Sequence, residues 1–315
     1  MKGRYACLLY DTTMKTVLGT ANNEALFIDI IELLLPGKHI AAIELLNKEY
    51  DGLVNSEKKV TFDLLCRDKD TGEEFLVEVQ NAPEKSYRDR MLYYSYFPIR
   101  EQLAAKAKLF LTDPSLKKKM DYSVKPVYVI SFVNFDFSHV SEEALEDGYI
   151  SRYELRNGRN GEILTPSLNF VFLELDRLKL EKDAFEKCRS RLERFVFSFK
   201  YLHTFEEFPH SFMEDPLLNK LAQAAELANL PIEKLQEYEA NMRTIIDVIA
   251  ERTYAEEQGE ARGLAKGLMQ GREEGREEKA QAIAAVMLKD GVEPALVAKY
   301  TGLTTEQLEA LKDRP

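Results

Sequence analysis

Residues 61–80 read TFDLLCRDKDTGEEFLVEVQ, two apolar-rich runs around a polar centre that carries Gly72. The pattern predicts a β-hairpin turning at Asp70 and Thr71, which sets Asp63 opposite Glu78. Alternation puts Phe75, Val77 and Val79 on one face and Leu76, Glu78 and Gln80 on the other. Asp63, Glu78 and Gln80 therefore share a face. Directly opposed residues have Cβ atoms about 4.5–5.5 Å apart, where like charges oppose pairing. Two carboxylates so placed need a cation or a shared proton, unless the face is solvated and water keeps the charges apart. Leu65 and Leu76 lie on the same face and point to partial burial. With no histidine or cysteine cluster beside them, carboxylate oxygens suit a hard divalent ion, Mg²⁺ or Mn²⁺, rather than zinc. Such an ion would polarise a phosphodiester oxygen and activate a bound water.

The flanking sequence places this hairpin in an α/β core. ANNEALFIDIIELLLPGK has helical spacing and a Pro36-Gly37 stop. YRDRMLYYSYFPIREQLAAKAK reads as helix, kinked or divided at Pro98. KPVYVISFVNF, YISRYELRN and LNFVFLELDRL read as strands, with RNGRNGE as a turn between the last two. From Asp183 onward the pattern is helical: AFEKCRSRLERFVFSFKYL, DPLLNKLAQAAELANL, and IEKLQEYEANMRTIIDVIAERTYAEE begun by Pro231. The division is a core over 1–182, a helical region over 183–256 packing on it, a glycine-periodic segment over 257–279 and a small helical module over 280–315.

Glycines at 259, 263, 267, 271 and 275 repeat every four residues and make up five of the 15 in the chain. Each costs a helix roughly 1 kcal/mol against alanine. The segment is either a flexible linker or, the favoured reading, a helix whose slowly winding smooth stripe serves self-association into a homo-oligomer. The final residues read helix, Gly291, helix, Gly302, helix, with Thr304 or Thr305 as a cap. That is a helix-turn-helix-like module, suited equally to DNA and to protein contacts.

Composition removes several classes. A net charge of −11 argues against indiscriminate coating of nucleic acid. Basic residues still gather between Arg88 and Lys125, with Arg90, Arg100, Lys106, Lys108 and the run at 117–119 among them. Cys7, Cys66 and Cys188 are scattered, so no zinc knuckle or disulfide framework is indicated and a reducing, cytoplasmic setting is expected. ALFIDIIELLL contains Asp29 and Glu32 and is too short to span a bilayer, and MKGRYACLLYDTTMK lacks the apolar run of a secretion signal. GxxxxGK[ST], GxGxxG and GxSxG motifs are absent.

The order Asp63, hairpin, then Glu78-x-Gln80 resembles the PD-(D/E)xK nuclease superfamily, in particular its Rpn-type recombination-promoting nucleases and putative transposases. DTTMKTVLGTANNEALFIDIIELLL is similar to that family's opening TDxxFKxxFG, with Asp11, Lys15 and Gly19 at matching positions and Met14 and Leu18 in place of aromatics. YRDRMLYYSYFPIREQL, FLELDRL, the glycine-period tail and VAKYTGLTTEQLEAL also look like family features. The resemblance implies a restriction-endonuclease-like mixed sheet flanked by helices, followed by a helical C-terminal region. It implies a Mg²⁺-dependent (or Mn²⁺-dependent) DNA endonuclease, of a recombination-promoting or transposase-like type, that hydrolyses phosphodiesters with a metal-activated water. Asp63 and Glu78 would bind the metal, with the Val79 carbonyl as a further ligand. Gln80 stands where the superfamily's motif has its lysine, and Lys15 is the candidate to supply the missing charge. Tyr87, Arg90 and Tyr94 share a helix face, whose tyrosines either support Arg90 at a phosphate or, the favoured reading for them, pack in the core; Tyr87, Arg88 and Arg90 are the candidate DNA contacts. The second reading is a nuclease-fold protein of weak or no catalysis that binds DNA or self-assembles.

Overall fold

The computed structural model describes residues 3–46, 49–50, 60–112, 121–137, 145–146 and 148–312. The basic run at 117–119 lies outside them. The chain forms two compact units, Met1–Glu239 and Ala240–Pro315.

In chain order the first unit begins with helices α1 (Asp11–Leu18) and α2 (Glu24–Leu34). Strands β1 (Ile43–Leu45), β2 (Glu49–Tyr50), β3 (Val60–Thr61), β4 (Leu64–Asp68) and β5 (Glu74–Gln80) follow. Next come α3 (Tyr87–Thr112), β6 (Val127–Val133), β7 (Leu145–Glu146), β8 (Ile150–Glu154) and β9 (Leu168–Glu174). Helices α4 (Arg191–Tyr201), α5 (His210–Met213) and α6 (Pro216–Ala225) complete it, and α7 (Ile232–Lys289) starts at its end. Seven strands form one mixed sheet in the order β1-β4-β5-β6-β9-β8-β7. Its centre, β5-β6-β9, is parallel and both margins are antiparallel. This is the mixed α/β architecture that the alternation of strand and helix patterns implies.

The hairpin turn explains the register. The Asp68 carboxylate accepts from the Asp70 N–H at 2.9 Å and the Thr71 hydroxyl at 2.7 Å, and the Gly72 N–H returns to the Asp68 carbonyl at 2.9 Å. Gly72 has φ +75°, which a residue with a Cβ adopts only under strain. The turn fixes Leu64 opposite Val77 and Leu65 opposite Leu76.

Both faces of the sheet are covered, so β5 is buried along nearly its whole length. Phe75, Val77 and Val79 face a core built with Met14 and Leu18 of α1, Phe27 and Ile31 of α2, Phe195 and Phe199 of α4 and Leu217 and Leu221 of α6. Leu65 and Leu76 face the other core, closed by Tyr87, Met91 and Phe97 of α3. Helix α3 is also the crossover that lets β5 and β6 run parallel. It is not divided at Pro98: the one intrahelical bond proline removes is outweighed by burial of Tyr87, Met91, Phe97 and Pro98 itself on the sheet.

One helical expectation needs correction. AFEKCRSRL is not one helix: Phe185–Lys187 makes a 3₁₀ turn, and α4 starts only after Ser190, whose hydroxyl accepts the Glu193 N–H at 3.0 Å. Helix α7 runs on through all five periodic glycines, as a helix rather than a linker. In the second unit α7 is followed by α8 (Pro294–Thr301) and α9 (Thr305–Lys312). Ala284, Val297, Leu303 and Leu308 form their small core. Gly302 takes φ +74°, and Thr304 and Gln307 cap α9 reciprocally, backbone to side chain, at 2.8 and 3.3 Å.

Gly19 ends α1 where the chain passes β4. A Cβ there would meet the Lys15 carbonyl oxygen at 2.5 Å and the Leu64 side chain at 2.7 Å. Gly19→Ala is expected to destabilise the protein by about 1–3 kcal/mol, as overpacking does, measured as a lower urea midpoint at unchanged slope.

Candidate active site

The β4–β5 ladder ends one residue short of Asp63, and side chains take over where the backbone pairing stops. The Asp63 N–H donates to Glu78 Oε1 at 3.1 Å, and the Val79 N–H donates to Asp63 Oδ2 at 2.8 Å. Each carboxylate is thus gripped by the backbone of the other's segment. The two acids are 8% and 6% exposed, so these bonds and the neighbouring cations stand in for water.

Burial dominates the electrostatics. It pushes the Asp63 carboxyl up from 3.8 to about 6, against the Val79 N–H and Lys15, which favour the charged form; Asp11 adds to the rise. Burial likewise raises Glu78 well above its ordinary value of 4.5, and the Asp63 charge raises it further; the Asp63 N–H, Arg90 and Lys15 offset only part of this. Lys15 reaches over from α1 with Nζ 3.5 Å from Asp63 Oδ1. It is 37% exposed and bridges solvent and site.

The donor set suits a hard divalent ion. Two crowded carboxylates offer oxygen alone, and Mg²⁺ is held by one or two carboxylates plus water and substrate oxygens rather than by an all-protein cage. No group of three or more His, Cys, Asp or Glu side chains with metal-ligating geometry occurs among the described residues. The backbone offers one further oxygen. The Gln80 carbonyl accepts the Asn134 N–H beyond the end of β6. Alternate peptide groups of a strand face opposite edges. The Val79 carbonyl therefore faces the Asp63 side, as its N–H does.

Gln80 is on the face of Glu78, and its amide is engaged at both ends. Its Oε1 accepts from Arg90 Nη2 at 2.7 Å, and its Nε2 donates to the Ala82 carbonyl at 2.9 Å. Arg90 Nη1 meets Glu84 Oε2 at 2.5 Å, and the guanidinium lies 4.9 Å from the Tyr87 ring and 5.8 Å from Tyr94. Sequence reasoning passed over Glu84; a carboxylate six residues before Arg90, in the loop leading to a helix, was the available signal.

The expected DNA contacts divide. Arg90 stays beside the acids, but Tyr87 is wholly buried against Phe135, Phe137 and Phe172. Its aromatic ring serves the core, and its place as a DNA contact is withdrawn. Arg88 lies 4.3 Å from the Phe137 ring centre, with Nε and Nη2 buried and without an acceptor among the described residues. Further along, Arg100 pairs with Glu101 and Lys106 with Asp121, so these two basic residues are balanced by acids.

A family model described as PD-(D/E)XK nuclease family transposase matches residues 8–255. A second, described as Rpn/YhgA-like nuclease family, C-terminal HTH domain, matches residues 277–313. No curated protein and no solved structure matches the chain.

The raised carboxyls carry a stability signature. Because the folded-state value of Asp63 lies above its unfolded one, its contribution to stability is full below about pH 3.8 and is lost as pH rises through about 6; Glu78 acts in the same sense. In metal-free protein at pH 8, Glu78→Gln keeps an acceptor for the Asp63 N–H and removes one buried charge. It is expected to stabilise by about 1–3 kcal/mol at pH 8 and by far less at pH 4, measured by urea unfolding in the presence of a chelator.

Proposed function

The chain belongs to the PD-(D/E)XK nuclease family transposases, and from that premise we propose that it is a metal-dependent DNA endonuclease acting in recombination or transposition-like transfer. The observation that carries this reading is the reciprocal lock of two buried carboxylates, Asp63 and Glu78, at the end of the hairpin. A surface hairpin face has no use for such an arrangement, and a stable core is weakened by it.

Asp63 and Glu78 would hold a divalent ion, Mg²⁺ with Mn²⁺ as a substitute, and the Val79 carbonyl would serve as the third protein oxygen. Bound there, the ion would polarise a phosphoryl oxygen and lower the pKa of water beside it. Lys15 steadies Asp63 as a carboxylate and carries positive charge at the solvent side of the pair. The Asp63–Val79 and Glu78–Asp63 bonds fix both acids before substrate arrives, so little reorganisation accompanies binding. In the second unit, the helix-turn-helix domain that ends the chain would supply DNA affinity apart from the chemistry. The three buried, unpaired cysteines suit a reducing cytoplasm.

Supercoiled plasmid with Mg²⁺ tests the reading. The purified chain is expected to nick it, and Asp63→Ala and Glu78→Ala are each expected to slow nicking by about a hundredfold or more, as loss of several kcal/mol of charge stabilisation requires. Nicking that persists undiminished in both variants overturns the assignment. A folded wild-type chain that binds DNA, does not cut it and takes up no Mn²⁺ in calorimetry is instead a binding module.

A further inference from the structure

Cleavage of a phosphodiester builds negative charge on the phosphoryl and leaving oxygens, and a site with two carboxylates of its own needs cationic side chains to receive it. The family's motif name places a lysine two residues after the second acid, where this chain has the neutral Gln80. Two cations influence the carboxylates, Lys15 and Arg90. Lys15 faces Asp63 at 3.5 Å and offsets that carboxylate from the α1 side.

We propose that Arg90 is the catalytic cation of this site and that Gln80 is a positioning residue that aims its guanidinium at the scissile phosphate. The inference rests on the nuclease reading above. Four side chains surround the guanidinium. Gln80 Oε1 takes Nη2, Glu84 Oε2 takes Nη1, and the ring centres of Tyr87 and Tyr94 lie 4.9 and 5.8 Å from it. Gln80 is itself anchored through Nε2 to the Ala82 carbonyl, so it is held at both ends and has the fixed geometry a positioning group needs. Arg90 Nε is buried and has no hydrogen-bond acceptor among the described residues. Arg90 and Glu84 keep about a third of their side-chain surface open, 30% and 35%, which leaves the ion pair within reach of substrate. A guanidinium carries five donors in a rigid fork, so it can keep Gln80 and still present N–H groups to a phosphate. The motif's charge has in effect moved from the strand to the facing helix, and the amide left on the strand steers it.

A charge swap distinguishes this from a mere salt bridge or a DNA-affinity contact. Full-length variants are compared on supercoiled plasmid with Mg²⁺ at saturating protein, alongside melting temperature and duplex binding with Ca²⁺ in place of Mg²⁺. Arg90→Ala is expected to lower the nicking rate about a hundredfold, with duplex affinity changed less than about threefold and an almost unaltered salt slope, since a phosphate contact made only for affinity would reduce that slope by about one. Gln80→Ala is expected to fall about tenfold by loosening Arg90. Gln80→Lys placed in the Arg90→Ala background is expected to recover at least about tenfold, because a lysine stem from position 80 returns charge to the same side of Glu78. Full nicking by Arg90→Ala, or no recovery in the double variant, overturns the proposal. Should Arg90→Ala melt below the assay temperature, Arg90→Gln takes its place with the same expectations, since it removes the charge and keeps a donor for Gln80. Asp63→Ala separates the two levels of the argument. An inactive wild type, or an active Asp63→Ala, sinks the nuclease reading itself. Active wild type and dead Asp63→Ala beside active Arg90→Ala sink only the role given to Arg90.

Discussion

Two carboxylates kept out of water by one another's backbone set the terms for the rest of this molecule. The Asp63 and Glu78 bonds replace the last rung of the hairpin with a pair of side chain–backbone contacts. That substitution holds only if the flanking rungs are firm, and the buried Asp68 turn and the fully covered β5 make them so. It also requires cations from outside the hairpin, and the packing of α1 and α3 brings one to each side, Lys15 and Arg90. The two hydrophobic cores therefore do more than stabilise the sheet. They carry charge to it.

The same arrangement explains why β5 is central. A strand buried on both faces is almost wholly apolar, and β5 departs from that rule near its ends, with Glu74, Glu78 and Gln80. Glu74 is matched by Arg67 across the hairpin at 2.7 Å. Glu78 faces a second acid instead. One strand thus shows a buried acid satisfied by an ion pair and another placed against like charge, and only the second needs a function to account for it.

Much of this was legible in the sequence because local chemistry dictated it. Asp68, Asp70, Thr71 and Gly72 fix the turn, the turn fixes the register, and the register puts Asp63 across from Glu78. Strands β6, β8 and β9 are marked by β-branched and aromatic runs. What escaped depended on contacts remote in sequence. Helical spacing grouped Tyr87 with Arg90 and Tyr94, but only the packing of Phe135, Phe137 and Phe172 decides that Tyr87 points inward. Pro98 reads as a break until the core it helps to bury is known. The hold of Gln80 on Arg90 joins a strand to a helix across a loop, and no periodicity reports it.

The hairpin also restricts how the gene can drift in length. Side chains alternate with a period of two, so adding or deleting one residue within β4 or within Glu74–Val77 would send its acid to the opposite face of the sheet. The turn between them is exposed at Lys69, Asp70 and Thr71, but its bonds to Asp68 set the register, so its length is constrained as well. Relatives that keep this site are therefore expected to keep the residue spacing from Asp63 to Glu78.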